Sequence, residues 1–259
     1  MEQFRALLVV DAEKFSAHPD ADLPDVHLEI RRVLAQACRA SGLGEVWANA
    51  RFMQSTGDGV LAALPHEASA ALIDPFPHRL QDALREAAPG LRARELRLRL
   101  RVALHVGLVD DERPDAPGIS TATVDVNRLL DSGPLRDALA HSDPAVTYAA
   151  FMLSEDIFRP YVLGGRTGLR ASQFTEVAVQ VKQYARPAYL YVPVPSARPA
   201  EPVHAEPAHA EPPAGAATPA GATAPPPPVP GISGVTVSGD GAQVVLGNAV
   251  GGGIRQERS

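Results

Sequence analysis

Cysteine is nearly absent from this 259-residue chain: Cys38 stands alone, so no internal disulfide can form, and a reducing, cytoplasmic setting is expected. Basic excess is missing too. Lys and Arg number 24 against 30 Asp and Glu, a net charge of -6, whereas nucleic acid and anionic membrane surfaces select a basic face. Neither is expected as a partner. Long apolar runs are also lacking: nothing approaches the roughly 18 residues of a membrane span. The stretch Ala6 to Val10, behind Glu2 and Arg5, is short for a signal peptide and stops at Asp11.

Proline is plentiful, at 25 residues, but unevenly placed. From Pro193 to Pro230 the chain reads PVPSARPAEPVHAEPAHAEPPAGAATPAGATAPPPPVP. Such a segment has few amide donors and little to bury, so residues 196–230 are expected to be a disordered, extended linker. The repeat His204 to Pro207 and His209 to Pro212 is low complexity and reads as linker rather than as a metal site. A folded domain is expected over 1–195, a short β-prone tail over 231–254, and a terminal stub over 255–259.

Within the first 195 residues the apolar pattern alternates between strand and helix signals. Phe4 to Val10 predicts a buried strand. Val26, Ile30, Val33, Leu34 and Ala37 predict a helix opening near Asp25, ended by Gly42 and Gly44. Glu45 to Met53 and Val60 to Leu64 predict two strands around the turn Ser55-Thr56-Gly57-Asp58-Gly59. A second helix fits Pro77 to Ala88, with Leu80, Ala83, Leu84 and Ala87 inward. From Leu96 to Val106 apolar residues alternate with Arg97, Arg99 and Arg101, which predicts a half-buried strand with a solvated basic face. The order β-α-β-β-α-β is that of a ferredoxin-like α+β core. Pro134 to Ala140 and Phe151 to Arg159 are expected as short helices, and Phe174 to Gln183 with Ala188 to Val194 as a closing strand pair.

That topology makes the first and third strands antiparallel neighbours. Asp11 ends the first and Asp58 precedes the third, so two distant acids meet at one sheet edge. Carboxylates that close repel unless a cation or proton lies between them, and hard divalent ions suit such a pair. Each acid is also at home as an ordinary turn residue. Trp47, His105 and Cys38 read as packing residues.

Five segments then carry a resemblance. Val10-Asp11-Ala12-Glu13-Lys14-Phe15-Ser16, Ser55-Thr56-Gly57-Asp58-Gly59-Val60, Arg101-Val102-Ala103-Leu104-His105-Val106-Gly107, Val124 to Asp131 and Val179-Gln180-Val181-Lys182 are collinear with motifs of class III adenylate and guanylate cyclases, which residues 1–195 resemble. The resemblance implies that Asp11 and Asp58 hold two Mg or Mn ions and that the backbone at Phe15 and Ser16 cradles phosphates. It further implies that Lys182 neutralises a nucleoside triphosphate and that the site completes itself in a homodimer, with Asn127, Arg128 and Lys182 facing the partner's aspartates. Gln54 stands where the family selects its base, and its amide both donates and accepts. Asn127 and Arg128 are adjacent, about 100° apart on a helix, where the family spaces them further; with Asp125 in the Asn position, Arg128 lies three residues on. A nucleotide cyclase and a catalytically degenerate cyclase-fold sensor or effector are both open on these residues.

The tail resembles RHIM-like amyloid signalling motifs, found behind flexible linkers in bacterial and animal immune and cell-death proteins. Val235 and Val237 precede Gly239-Asp240-Gly241, and Gln243-Val244-Val245-Leu246-Gly247-Asn248 forms the core of the match. Such a nearly uncharged, proline-free segment is stabilised by stacking on copies of itself. The resemblance implies a protein partner carrying a matching motif.

Overall fold

A computed structural model describes residues 1–113 and 115–198. Of the linker expected over 196–230, residues 196–198 are described and hydrogen-bond to the domain through Ser196 and Arg198; the rest of it, and the tail expected over 231–259, lie outside the described residues. Seven strands form one sheet: β1 (Gln3–Ala12), β2 (Phe52–Ser55), β3 (Gly59–Pro65), β4 (Leu100–Val109), β5 (Ala149–Ser154), β6 (Thr175–Val181) and β7 (Tyr184–Tyr191), in the order β2-β3-β1-β4-β5-β7-β6. Strand β1 pairs antiparallel with both β3 and β4, and β4 pairs parallel with β5. The first four strands are thus the expected ferredoxin-like unit.

Helices cover both faces. Longest is α1 (Leu23–Ala40), followed by α2 (Gly44–Ala48), α3 (Ser69–Ile73), α4 (Phe76–Arg92), α5 (Thr121–Leu130), α6 (Gly133–Ala140) and α7 (Glu155–Phe158). Successive β1 side chains enter different cores. Ala6, Leu8 and Val10 join α1 and α4 residues such as Ile30, Leu34, Leu80 and Leu84; Leu7 and Val9 join Val126, Leu129, Leu135 and Leu139 of α5 and α6. A strand buried on both faces reads as a continuous apolar run, which is the pattern of β1.

Three expectations need correction. The first half of Glu45 to Met53 is helix, not strand: α2 docks Val46 and Trp47 on the core, and only Phe52–Ser55 pairs with β3. Phe151 to Ser154 belongs to β5, whose six residues are all buried; without alternation, period alone does not separate a buried strand from a helix. The arginine stripe is not a solvated face, because α5 and the segment after α6 cover that side of β4. Arg99 is 8% exposed and donates to the carbonyls of Thr147 (3.0 Å) and Leu139 (2.6 Å), while its Nη1 pairs with Glu13 at 3.1 Å. Arg97 alone of the three stays exposed.

Cys38 is fully buried in α1, and burial pushes its thiol up to about 12, so packing is its role. His105 is buried with Nδ1 2.8 Å from the Ser154 hydroxyl; desolvation holds its ring below the usual imidazole range. Beyond β7 the chain stays tied to the domain: Thr147 donates to the Val194 carbonyl at 2.6 Å, and the Arg198 amide to His141 at 2.9 Å. Among the described residues no helix is long and apolar enough to cross a membrane.

Candidate active site

Strand register sets the centre of the site. Asp11 pairs with Gly59 across β1 and β3, and the Ala12 amide donates to the Asp58 carbonyl at 2.9 Å. The two acids predicted to meet are therefore one register step apart. Gly59 makes this possible, since a Cβ there would lie 1.8 Å from the Val10 carbonyl oxygen. From α1, His27 reaches the hairpin tip: Nδ1 lies 2.9 Å from the Gly57 carbonyl and Nε2 3.2 Å from the Ser55 hydroxyl. Asp58 itself is half-buried, and its carboxylate meets only the Thr56 hydroxyl, at 3.5 Å, among the described side chains.

Asp11 is differently placed. It is 8% exposed and grips Arg101, whose Nε donates to Oδ1 at 2.8 Å and Nη2 to Oδ2 at 2.6 Å. Burial raises its pKa from 3.8 to about 6 in spite of Arg101, which pulls the other way; Asp58 and Asp131 add to the rise. Since the folded value lies above the unfolded one, this group stabilises the fold below about pH 4, and that contribution is lost as pH rises to about 6. Without divalent ions, the wild type is expected to lose about 3 kcal/mol relative to Asp11→Asn between pH 4 and 7, read by urea unfolding. Parallel profiles for the two proteins would contradict this assignment.

As metal ligands the residues present are two carboxylates and no more: among the described residues no three His, Cys, Asp or Glu side chains converge. That donor set fits Mg²⁺ or Mn²⁺, which are commonly held by one or two carboxylates with waters and substrate phosphates completing the shell. After Asp11 the chain turns through Lys14 (φ 56°) into a short turn, Phe15–Ala17. Phe15 packs on the core and Ser16 is exposed.

The remaining predicted residues line one open groove of about 360 Å³, whose walls include Gln54, Asn127, Arg128 and Lys182 together with Phe52 and Asp131. Adjacency of Asn127 and Arg128 does not part them. Asn127 donates back to the Thr123 carbonyl at 2.7 Å, and Arg128 reaches the Val181 carbonyl at 3.2 Å. Lys182 is not the end of a strand but the first residue of the two-residue turn between β6 and β7, at φ 53°. Side-chain-bearing residues reach that left-handed region at some cost in strain. Asp131 and Arg101 are site residues to which the motifs assigned no role; each stands at one end of a matched segment, Val124 to Asp131 and Arg101 to Gly107.

No family model and no curated protein matches the chain. Among solved structures, the guanylyl cyclase Cya2 superposes with a TM-score of 0.53 over 79% of this chain and 96% of its own, at 14% identity. The fold is that of a nucleotide cyclase domain. The adenylyl cyclase CyaB from P. aeruginosa (TM-score 0.49, 14% identity, 77% of this chain and 98% of its own) is also similar. So is an adenylate/guanylate cyclase/hydrolase from Silicibacter pomeroyi (TM-score 0.49, 19% identity, 76% and 99%). At these identities the likeness is one of fold.

Proposed function

We propose that this protein is a metal-dependent, nucleotide-binding signalling protein of the cyclase type, converting a nucleoside triphosphate to a cyclic monophosphate and pyrophosphate as a homodimer. The observation that carries the reading is the meeting of Asp11 and Asp58 across β1 and β3. Asp11 and Asp58 hold the divalent ions, which when bound neutralise triphosphate charge and activate the ribose hydroxyl. The backbone at Phe15 and Ser16 binds phosphate, and Lys182 faces its remaining charge. Arg128 stands next to Lys182 through its bond to Val181, where a guanidinium stabilises charge developing on the transferred phosphoryl group. Gln54 meets the base with one donor and one acceptor, so it does not by itself choose between purines. Turnover of ATP, GTP, CTP and UTP with Mn²⁺ or Mg²⁺, followed by mass spectrometry, tests the reading.

A second reading is favoured by a specific observation: Asp11 commits both carboxylate oxygens, and Asn127 and Arg128 one donor each, to partners within the domain. On that reading the fold senses nucleotide, or acts as an effector in an immune or cell-death pathway, without cyclisation. Nucleotide binding with no cyclic product distinguishes it.

Under both readings, residues 231–254 couple the domain to a protein partner by self-assembly through Val235, Val237 and Gln243 to Asn248. A peptide of this segment is expected to form thioflavin-positive fibrils, and Gln243→Pro or Gly247→Pro to prevent them, since proline removes a ladder donor. A peptide that stays monomeric at high concentration ends the idea.

A further inference from the structure

We propose that Arg101 is a resident counter-ion for the carboxylate pair, which a divalent cation must displace in order to bind. The inference rests on reading Asp11 and Asp58 as metal ligands and adds a competitor to that reading. Asp11 and Arg101 are direct cross-strand partners in the register of β1 and β4, so the sheet itself holds them together. Both carboxylate oxygens are engaged by one fork, at 2.8 and 2.6 Å, and the side chains are only 11% and 17% exposed. Bidentate, charge-assisted pairs of this kind are among the stronger polar contacts in proteins, and partial burial removes much of the water that would weaken them.

Among the described residues Arg101 is the one cation whose charge acts on Asp11, where Asp58 and Asp131 are the acids. Its guanidinium therefore supplies the positive charge that two or three neighbouring carboxylates require when metal is absent. A metal ion arriving at Asp11 meets a carboxylate already neutralised, and must turn the guanidinium away before both oxygens are available. Asp58, which makes no ion pair among the described residues, offers the first foothold. The arrangement lowers metal affinity in the resting domain and links metal entry to a movement of Arg101.

The test is Mn²⁺ binding by electron paramagnetic resonance at pH 8, on the full chain, with wild type, Arg101→Gln, Arg101→Lys and Asp58→Asn. Arg101→Gln is expected to bind at least about tenfold more tightly than wild type, because the competing charge-assisted pair is gone. Arg101→Lys, which keeps the charge but not the fork, is expected between them and serves if Arg101→Gln does not fold. In the wild type, Mg²⁺ should move the Arg101 Nε–H resonance. Equal or weaker Mn²⁺ binding by both Arg101 variants, with Asp58→Asn still abolishing it, overturns the counter-ion role and leaves the metal reading standing. No binding by wild type or by either Arg101 variant overturns both.

Discussion

Asp58→Asn is expected to lower cyclic-nucleotide formation by at least about 100-fold while leaving the protein as stable as wild type. The two halves of that expectation have separate origins. Stability is spared because the Asp58 carboxylate is half-buried and, among the described residues, meets only the Thr56 hydroxyl, and because its structural contribution is a backbone carbonyl that asparagine retains. Turnover falls because an amide is a poor ligand for a hard divalent ion, and nothing else at the hairpin tip replaces the lost charge. Asp11→Asn is the less clean experiment. It also takes the carboxylate away from the half-buried Arg101 guanidinium and changes how stability depends on pH, so a loss of activity there has more than one cause. Wild-type turnover by Asp58→Asn would remove metal chemistry at this edge from the account.

The largest effect on the fold is expected at Gly59. A methyl group at this position would lie 1.8 Å from the Val10 carbonyl oxygen and 2.9 Å from the Asp11 Cα, so β1 and β3 must part to admit it. Both atoms are main chain of β1 where it pairs with the start of β3, with no flexible side-chain end to give way. Gly59→Ala should therefore cost about 3 kcal/mol or more in urea unfolding. Gly90, inside α4 with open space where a methyl group would stand, is the control. There the same substitution should be neutral or stabilising by up to about 1 kcal/mol, through helix propensity. Similar outcomes at the two glycines would mean that β1 and β3 are not so closely apposed, and the Asp11–Asp58 juxtaposition would fall with them.

Much of this was legible from residue order, for identifiable reasons. The run through β1, the hairpin around Gly57-Asp58-Gly59 and the amphipathic faces of α1 and α4 are local signals, and the ferredoxin-like topology then brings Asp11 to Asp58. What escaped depends on elements distant in sequence. Alternation in β4 separates two faces but does not say what covers the second; α5 and the segment after α6 cover it, so Arg99 is buried and Arg101 half-buried, bound to carbonyls and carboxylates. Val46 and Trp47 have strand propensity, and only their packing on the core places them in a short docked helix. β5 is buried on both faces and shows no period to read. Lys182 stands at a turn because Val181 pairs with Tyr184, a register that composition does not encode. Asp131 belongs to the site through the packing of α5; in the sequence it is only the last residue of the Val124 to Asp131 segment, with no role attached.

The most direct test of the central claim is incubation of the purified full chain with each of the four nucleoside triphosphates and Mn²⁺ or Mg²⁺, reading cyclic product and pyrophosphate by mass spectrometry. Equimolar cyclic monophosphate and pyrophosphate are expected from at least one nucleotide, and neither from Asp58→Asn. A folded protein that binds nucleotide and releases neither product would contradict that claim, and the domain would then be a sensor built on a cyclase fold.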